Sequence, residues 1–136
     1  MIYPVFAMVF MTFGLMFLTF VTRVRAVKAG EMKMAYFQLF QGQAESDRVR
    51  VTSRHYTNLF EAPVLFYTAA VLAIALNLEC NVLPIVAWCF VGFRAVHSFI
   101  HLTYNKVGHR VLTFMASNAC LVTMWVIIAY QHLINS

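Results

Sequence analysis

The chain has 136 residues, of which 62% are hydrophobic and 11% charged, with a formal net charge of +5. A water-soluble domain carries about a quarter charged residues, so this composition excludes one and predicts a single-domain integral membrane protein. The positive balance does not point to nucleic acid, because no basic patch with interleaved aromatic residues occurs.

Residues 1–136 read as one four-span membrane domain, with spans over about 3–24, 54–78, 82–104 and 110–134. Each reaches the roughly 20 residues that cross about 30 Å of hydrocarbon. All must be helices, because lipid cannot satisfy an open strand edge.

The first apolar run, Tyr3 to Thr22, precedes the first basic residue, Arg23, and no small-residue cleavage site follows it. That order predicts a retained span and not a cleaved signal peptide. The one long connection runs from Arg23 to about Ser53, punctuated by Gly30, Gly42 and Glu45-Ser46-Asp47, and Met32 to Leu39 has the pattern of an amphipathic surface helix. Ala62 to Leu78 is uncharged and extends as a helix towards its amino side. Asn77 to Asn81 makes a tight turn, so the second and third helices should form an antiparallel hairpin. Pro84 suits the first turn of the third helix, where a missing N–H costs little. The Asn105 to His109 connection is short, and the expected fold is all-α, an up-down antiparallel four-helix bundle.

All ten Lys and Arg (Arg23, Arg25, Lys28, Lys33, Arg48, Arg50, Arg54, Arg94, Lys106 and Arg110) fall in two connections or at the helix ends that adjoin them. The other side has only Glu79 and His132. The positive-inside rule therefore puts both connections in the cytoplasm and both termini outside it. Gly14, Gly92, Ala69 and Ala70 are small enough for close helix contact. Cys80, Cys89 and Cys120, with no CxxC spacing, read as inert buried thiols.

Polar residues concentrate at the basic end. Arg54, Asn58 and Glu61 stand at i, i+4 and i+7, one face of a continuous helix. Arg94, His97 and His101 share a face of the third helix, and Arg110 heads the fourth. Arg23, Arg25 and Lys28 read as snorkelling anchors, and His55 and His109 as solvated at the interface. Ionisable groups within a membrane usually face a partner or a ligand. Guanidiniums pair bidentately with carboxylates, Glu61 suits an ammonium, and Asn58 suits a peptide amide. Glutathione, with two carboxylates, one ammonium and two amides, matches that inventory, and its thiol would gain from nearby cations. A rival reading takes His97 and His101 with Glu61 as ligands to a metal or haem; Arg94 on the same face opposes a cation. A third keeps the constellation as interhelical glue, at a high cost in buried charge.

On these residues the chain resembles the MAPEG family, the membrane-associated proteins in eicosanoid and glutathione metabolism. The blocks Arg54-x-x-x-Asn58-x-x-Glu61 and Arg94-x-x-His97, followed by Arg110, stand in the family's order, and the likeness covers most of the chain, as in a microsomal glutathione transferase of bacterial type. The resemblance implies a multi-pass protein of the inner or plasma membrane and a homotrimer that binds glutathione between subunits, as cosubstrate and without a metal. Arg54, Asn58, Glu61, His97, His101 and Arg110 would line the site, with Arg23 reaching in from a neighbour. Arg110 would stabilise the thiolate, and Arg94 and Tyr104 would lie beside the pocket. The implied activity is glutathione transfer to apolar electrophiles, or reduction of lipid hydroperoxides. The alternative is a noncatalytic scaffold that binds a lipid or another anionic ligand.

Four departures qualify it. His101 stands where members often carry a tyrosine, Phe114 replaces an aromatic hydroxyl, and Val111 replaces a serine of the prostaglandin synthase branch, which points away from that branch. Pro63 also lies closer to Glu61 than the family's usual proline.

Overall fold

The computed structural model describes residues 1–39, 45–78 and 80–135; Gly42 and Glu79 of the sequence reading lie outside them. All regular structure among the described residues is helical: α1 (Ile2–Lys28), α2 (Tyr36–Leu39), α3 (Asp47–Asn58), α4 (Ala62–Ala75), α5 (Val82–Leu102) and α6 (Val107–Asn135). Four stretches are long and apolar enough to cross a membrane: Ile2–Lys28, Asp47–Ala75, Val82–Leu102 and Val107–Ile134.

Local chemistry sets where the helices stop. Gly30, at φ +72°, closes α1 by letting its own N–H reach the Val27 carbonyl and the Glu31 N–H reach that of Ala26, a Schellman motif. Asn77, at φ 49°, ends α4 in the same way, with bonds from Asn77 to Ile74 and from Leu78 to Ala73. Asn tolerates the left-handed region better than other non-glycine residues.

The second span is not one helix, which corrects the expected stripe. α3 begins at Asp47, ahead of the predicted Arg54, and ends at Asn58; Glu61 sits outside both helices at φ −94°, ψ −94°. Pro63 explains the break. It has no N–H to give the Leu59 carbonyl four residues back, and its ring clashes with that group in a continuous helix. Arg54, Asn58 and Glu61 therefore do not share one helical face.

Small residues let the core close. Ala69, Ala73 and Ala87 are buried around Phe66 and Phe90, whose rings stack with centroids 4.6 Å apart and planes 7° from parallel. α5 packs most extensively on α6, and α1 meets α3 and α4. Thr12 Oγ1 lies 3.3 Å from Tyr67 Oη, and Thr19 Oγ1 donates to the Thr52 carbonyl at 3.4 Å. Outward, Phe6, Phe10, Phe13, Phe17 and Phe20 leave the surface of α1 apolar, as lipid requires.

Three smaller expectations change. Ala69 and Ala70 are buried, but a methyl group added at Gly14 or Gly92 would meet nothing within 4 Å. Cys89 is exposed and not buried, while Cys80 and Cys120 are half-buried. Within Met32 to Leu39 only Tyr36–Leu39 is helical; Met32 and Tyr36 bury against Ala26 and Val49, pinning the long connection to α1 and α3.

Candidate functional site

The break after α3 leaves the carbonyl of Asn58 without the N–H that an unbroken helix would supply. Arg94 of α5 supplies it: Nη2 donates to that oxygen at 2.8 Å. Arg94 is 0% exposed, with its guanidinium carbon 5.9 Å from the Phe114 ring centre. Its role within the chain is thus a cap on a helix terminus. Among the described residues the one ion pair is Arg50 with Asp47, at the surface.

Beside this junction a cleft of about 240 Å³ opens between Asn58 of α3, His97 of α5 and four residues of α6: Val107, Arg110, Val111 and Phe114. Its polar groups are held from behind. Arg110 Nη1 donates to Asn105 Oδ1 at 2.9 Å, and Asn105 is fixed in the left-handed turn that ends α5, at φ 50°. His97 Nδ1 lies 3.1 Å from the Arg110 carbonyl oxygen. A carbonyl can only accept, so Nδ1 carries the proton and Nε2, which is buried, holds the lone pair. The cleft thus combines one guanidinium, one amide and one imidazole with an apolar wall, a set that suits an anionic or zwitterionic ligand with an apolar co-reactant.

Behind the cleft lies a second polar layer. His55 is 1% exposed, which corrects its reading as a solvated interfacial residue. Its ring centre is 4.8 Å from that of His101 and 5.9 Å from that of His97, and His97 and His101 are 6.0 Å apart. Eight buried nitrogens here have no protein partner: both of His55, both of His101, Nε2 of His97, Nε and Nη1 of Arg94, and Nε of Arg110. An orphaned buried polar group costs about 1–3 kcal/mol. A set of this size costs as much as the roughly 5–15 kcal/mol net stability of an ordinary domain unless water or a ligand satisfies it. The missed signal was periodicity. Val49, Thr52 and His55 are the buried face of α3, while Arg48, Arg50 and Arg54 face outward, so face and not depth decides the environment of His55.

A family model described as the MAPEG family matches residues 1–130. The chain belongs to the MAPEG family. Compared with curated proteins and with solved structures, it matches none. Family membership fits membrane-bound functions of the glutathione and eicosanoid kind.

The remaining expected site residues of this MAPEG chain stand apart from the cleft. Arg54 and Glu61 are exposed and do not line it. Half-buried Arg23 is no free snorkelling anchor, since Nη2 donates to Ser53 Oγ at 3.1 Å and its guanidinium carbon lies 5.6 Å from the Phe37 ring centre; Arg25 and Lys28 are exposed. Tyr104 Oη lies 3.0 Å from Nδ1 of the exposed His109. His101 lines a different cleft, of about 560 Å³, between α1, α3 and the end of α5. Among the described residues no group of three or more His, Cys, Asp or Glu is arranged to hold a metal ion.

Proposed function

We propose that the protein is a membrane-bound glutathione transferase, or a glutathione-dependent peroxidase, acting on apolar electrophiles or lipid hydroperoxides. The observation that carries this reading is the convergence of Asn58, His97 and Arg110, from three helices of a MAPEG chain, on one cleft with an apolar side.

In this mechanism Arg110 stabilises the thiolate. Its guanidinium is tethered to Asn105 and reaches thiolate charge without reorganising, as electrostatic catalysis requires. Asn58 takes a peptide amide of glutathione, and the His97 ring, held at Nδ1 by the Arg110 carbonyl, walls the cleft beside it. The apolar wall of Val107, Val111 and Phe114 seats the electrophile, so that sulfur and electrophilic carbon, or peroxide oxygen, meet at short range. In transfer, the sulfur lone pair forms the new S–C bond as the leaving group departs. In peroxide reduction it attacks oxygen, the O–O bond breaks, and a second glutathione completes the disulfide.

At about 240 Å³ the cleft is smaller than the roughly 300–1,000 Å³ of ordinary ligand pockets. Arg54 and Glu61 project outward from the same end of α3 and its junction with α4. Both features support a site completed by a neighbouring copy, as in the homotrimer expected from the family resemblance, with Arg54, Glu61 and Arg23 contributing at the seam. An antiparallel bundle with both termini outside the cytoplasm, in the inner or plasma membrane if the host is bacterial, accords with the clustered cations.

The test is calorimetric titration of the purified protein with glutathione, followed by turnover assays with several apolar electrophiles and a lipid hydroperoxide. Arg110→Ala should lower turnover by about a hundredfold or more, and Glu61→Gln should weaken binding. Wild-type protein that neither binds glutathione nor turns over would overturn the enzyme reading. A second reading, a noncatalytic binder of lipid or another anion, has no neighbouring copy over Arg54 and Glu61 and leaves them exposed. It predicts that a phospholipid or fatty acid copurifies and that glutathione gives no thermal shift.

A further inference from the structure

We propose that the second cleft, between α1, α3 and the end of α5, holds the headgroup of an anionic phospholipid at the basic end of the bundle. The site is separate from the glutathione cleft and does not depend on the glutathione reading.

Two charges and an amide set the sign of the ligand. The cleft has a volume of about 560 Å³, within the roughly 300–1,000 Å³ of ordinary ligand pockets, and Asp47, Arg48 and Asn105 line it. Asp47 is neutralised by its ion pair with Arg50, whereas the exposed Arg48 has no ion pair among the described residues. One positive charge is therefore left over. The first turn of α3 adds to it. Asp47, Arg48 and Val49 have N–H groups with no intrahelical carbonyl to bind, and the side chain of Ser46 caps none of them. The helix dipole places about half a positive charge at that end. Asn105 supplies a further donor. Arg110 Nη1 can only donate to it, so Oδ1 faces the arginine and Nδ2 is left for a ligand. A guanidinium, an amide N–H and a helix N-terminus together are a donor set for phosphate.

The rest of the lining points to a lipid as the source of that phosphate. Thr22 and Thr103 spend their hydroxyl protons on the Leu18 and Phe99 carbonyls, so towards a ligand their oxygens only accept. Acceptors beside a phosphate suit the hydroxyls of a glycerol headgroup. The apolar part of the lining is Leu18, Val51 and Leu102. Each stands about one turn deeper in its helix than a polar one: Leu18 below Thr22, Val51 below Asp47, Leu102 below Asn105. One turn deeper again on α1, a methyl group added at Gly14 would meet nothing within 4 Å, which leaves room for an acyl chain. A free phosphate ester has no use for such a path. Depth agrees, because Thr22 immediately precedes Arg23, the first cation of the chain, where hydrocarbon gives way to headgroups. Basic pockets between spans at this level bind anionic headgroups.

The experiment is calorimetric titration of the delipidated full-length protein in a nonionic detergent, with empty micelles as the blank. The probes are dihexanoyl phosphatidylglycerol, dihexanoyl phosphatidylcholine and glycerol 3-phosphate. Wild type should bind phosphatidylglycerol tightest. Arg48→Gln, at an exposed position, should weaken that binding about fivefold and leave phosphatidylcholine unchanged. Arg25→Gln removes an exposed cation that does not line the cleft and should change neither. Leu18→Trp should fill the apolar floor and abolish phosphatidylglycerol binding. Equal losses in Arg48→Gln and Arg25→Gln would reduce the effect to general surface charge and overturn the site, as would phosphatidylglycerol bound no tighter than phosphatidylcholine. Glycerol 3-phosphate bound as tightly as the lipid would overturn the lipid as occupant. Wild type that binds none of the three would overturn the site outright, and a smaller oligomer in Leu18→Trp would then give the cleft to a second copy.

Discussion

Arg94→Met should change the stability of the fold little and weaken the ligand site. Arg94 is fully buried and has a single hydrogen bond, from Nη2 to the Asn58 carbonyl at 2.8 Å, while Nε and Nη1 have no partner. Methionine keeps most of the side-chain length and removes the charge. The lost bond, made by a charged donor, is worth about 1.5–3 kcal/mol, and relief of two orphaned nitrogens returns about 1–3 kcal/mol each. Removing the buried charge adds to that relief. The Asn58 carbonyl left without its donor costs about 1–3 kcal/mol in turn, so the terms nearly cancel and stability should change little. The site fares differently. The carbonyl that loses its partner belongs to Asn58, which walls the cleft, so the end of α3 should shift and glutathione affinity should fall about tenfold, or ~1.4 kcal/mol. Equilibrium unfolding in mixed detergent micelles measures the first effect and calorimetric titration the second. An Arg94→Met protein destabilised by more than about 3 kcal/mol with unchanged affinity would refute this reasoning and make Arg94 structural glue.

Pro63→Ala restores the N–H that α3 and α4 need to fuse, so Asn58 could take its bond from Ala62 and Arg94 would become dispensable. In a double-mutant cycle with Arg94→Met, glutathione affinity should be coupled by about 0.5–3 kcal/mol; additive losses would show that the break and the arginine act separately. Phe66→Ala removes one ring of the Phe66–Phe90 stack and should cost about 2 kcal/mol in detergent unfolding. That is less than the ~3–5 kcal/mol of a water-soluble core, because lipid withdraws the transfer from water and leaves packing. Gly92→Ala meets nothing within 4 Å and should raise the unfolding midpoint through roughly 1 kcal/mol of helix propensity. A lowered midpoint with a changed oligomer on gel filtration would show that another copy packs against Gly92.

Much of the architecture was legible because lipid leaves few options. The apolar runs, their lengths and the clustering of all ten cations mark four spans and one polar end, and the observed helices start and stop within a few residues of those marks at most boundaries. The site was legible in residue type but not in arrangement. Asn58, His97 and Arg110 do meet at one cleft, whereas Arg54 and Glu61 face outward and His101 belongs to the opposite side of the histidine layer. Helical spacing assumes an unbroken helix, and one proline invalidates that assumption for everything beyond it. His55 was misplaced for the opposite reason. Its nearness to the membrane surface suggested solvent, but the period of Val49, Thr52 and His55 turns it inward, and only packing against α5 decides which influence wins.

The break and the buried arginine are best understood as one device. Within a membrane a helix cannot stop without some group to satisfy the carbonyls it leaves free, since lipid offers no donor. Pro63 forces such a stop between Asn58 and Ala62, and α5 answers with a guanidinium at the Asn58 carbonyl. Arg94 carries more donors than that carbonyl needs, and its Nε and Nη1 are buried without a partner, as are ring nitrogens of His55, His97 and His101. A neutral amide would have capped the helix at lower cost. A cation there instead gives the whole layer a positive field, which favours an anion on the other side of His97.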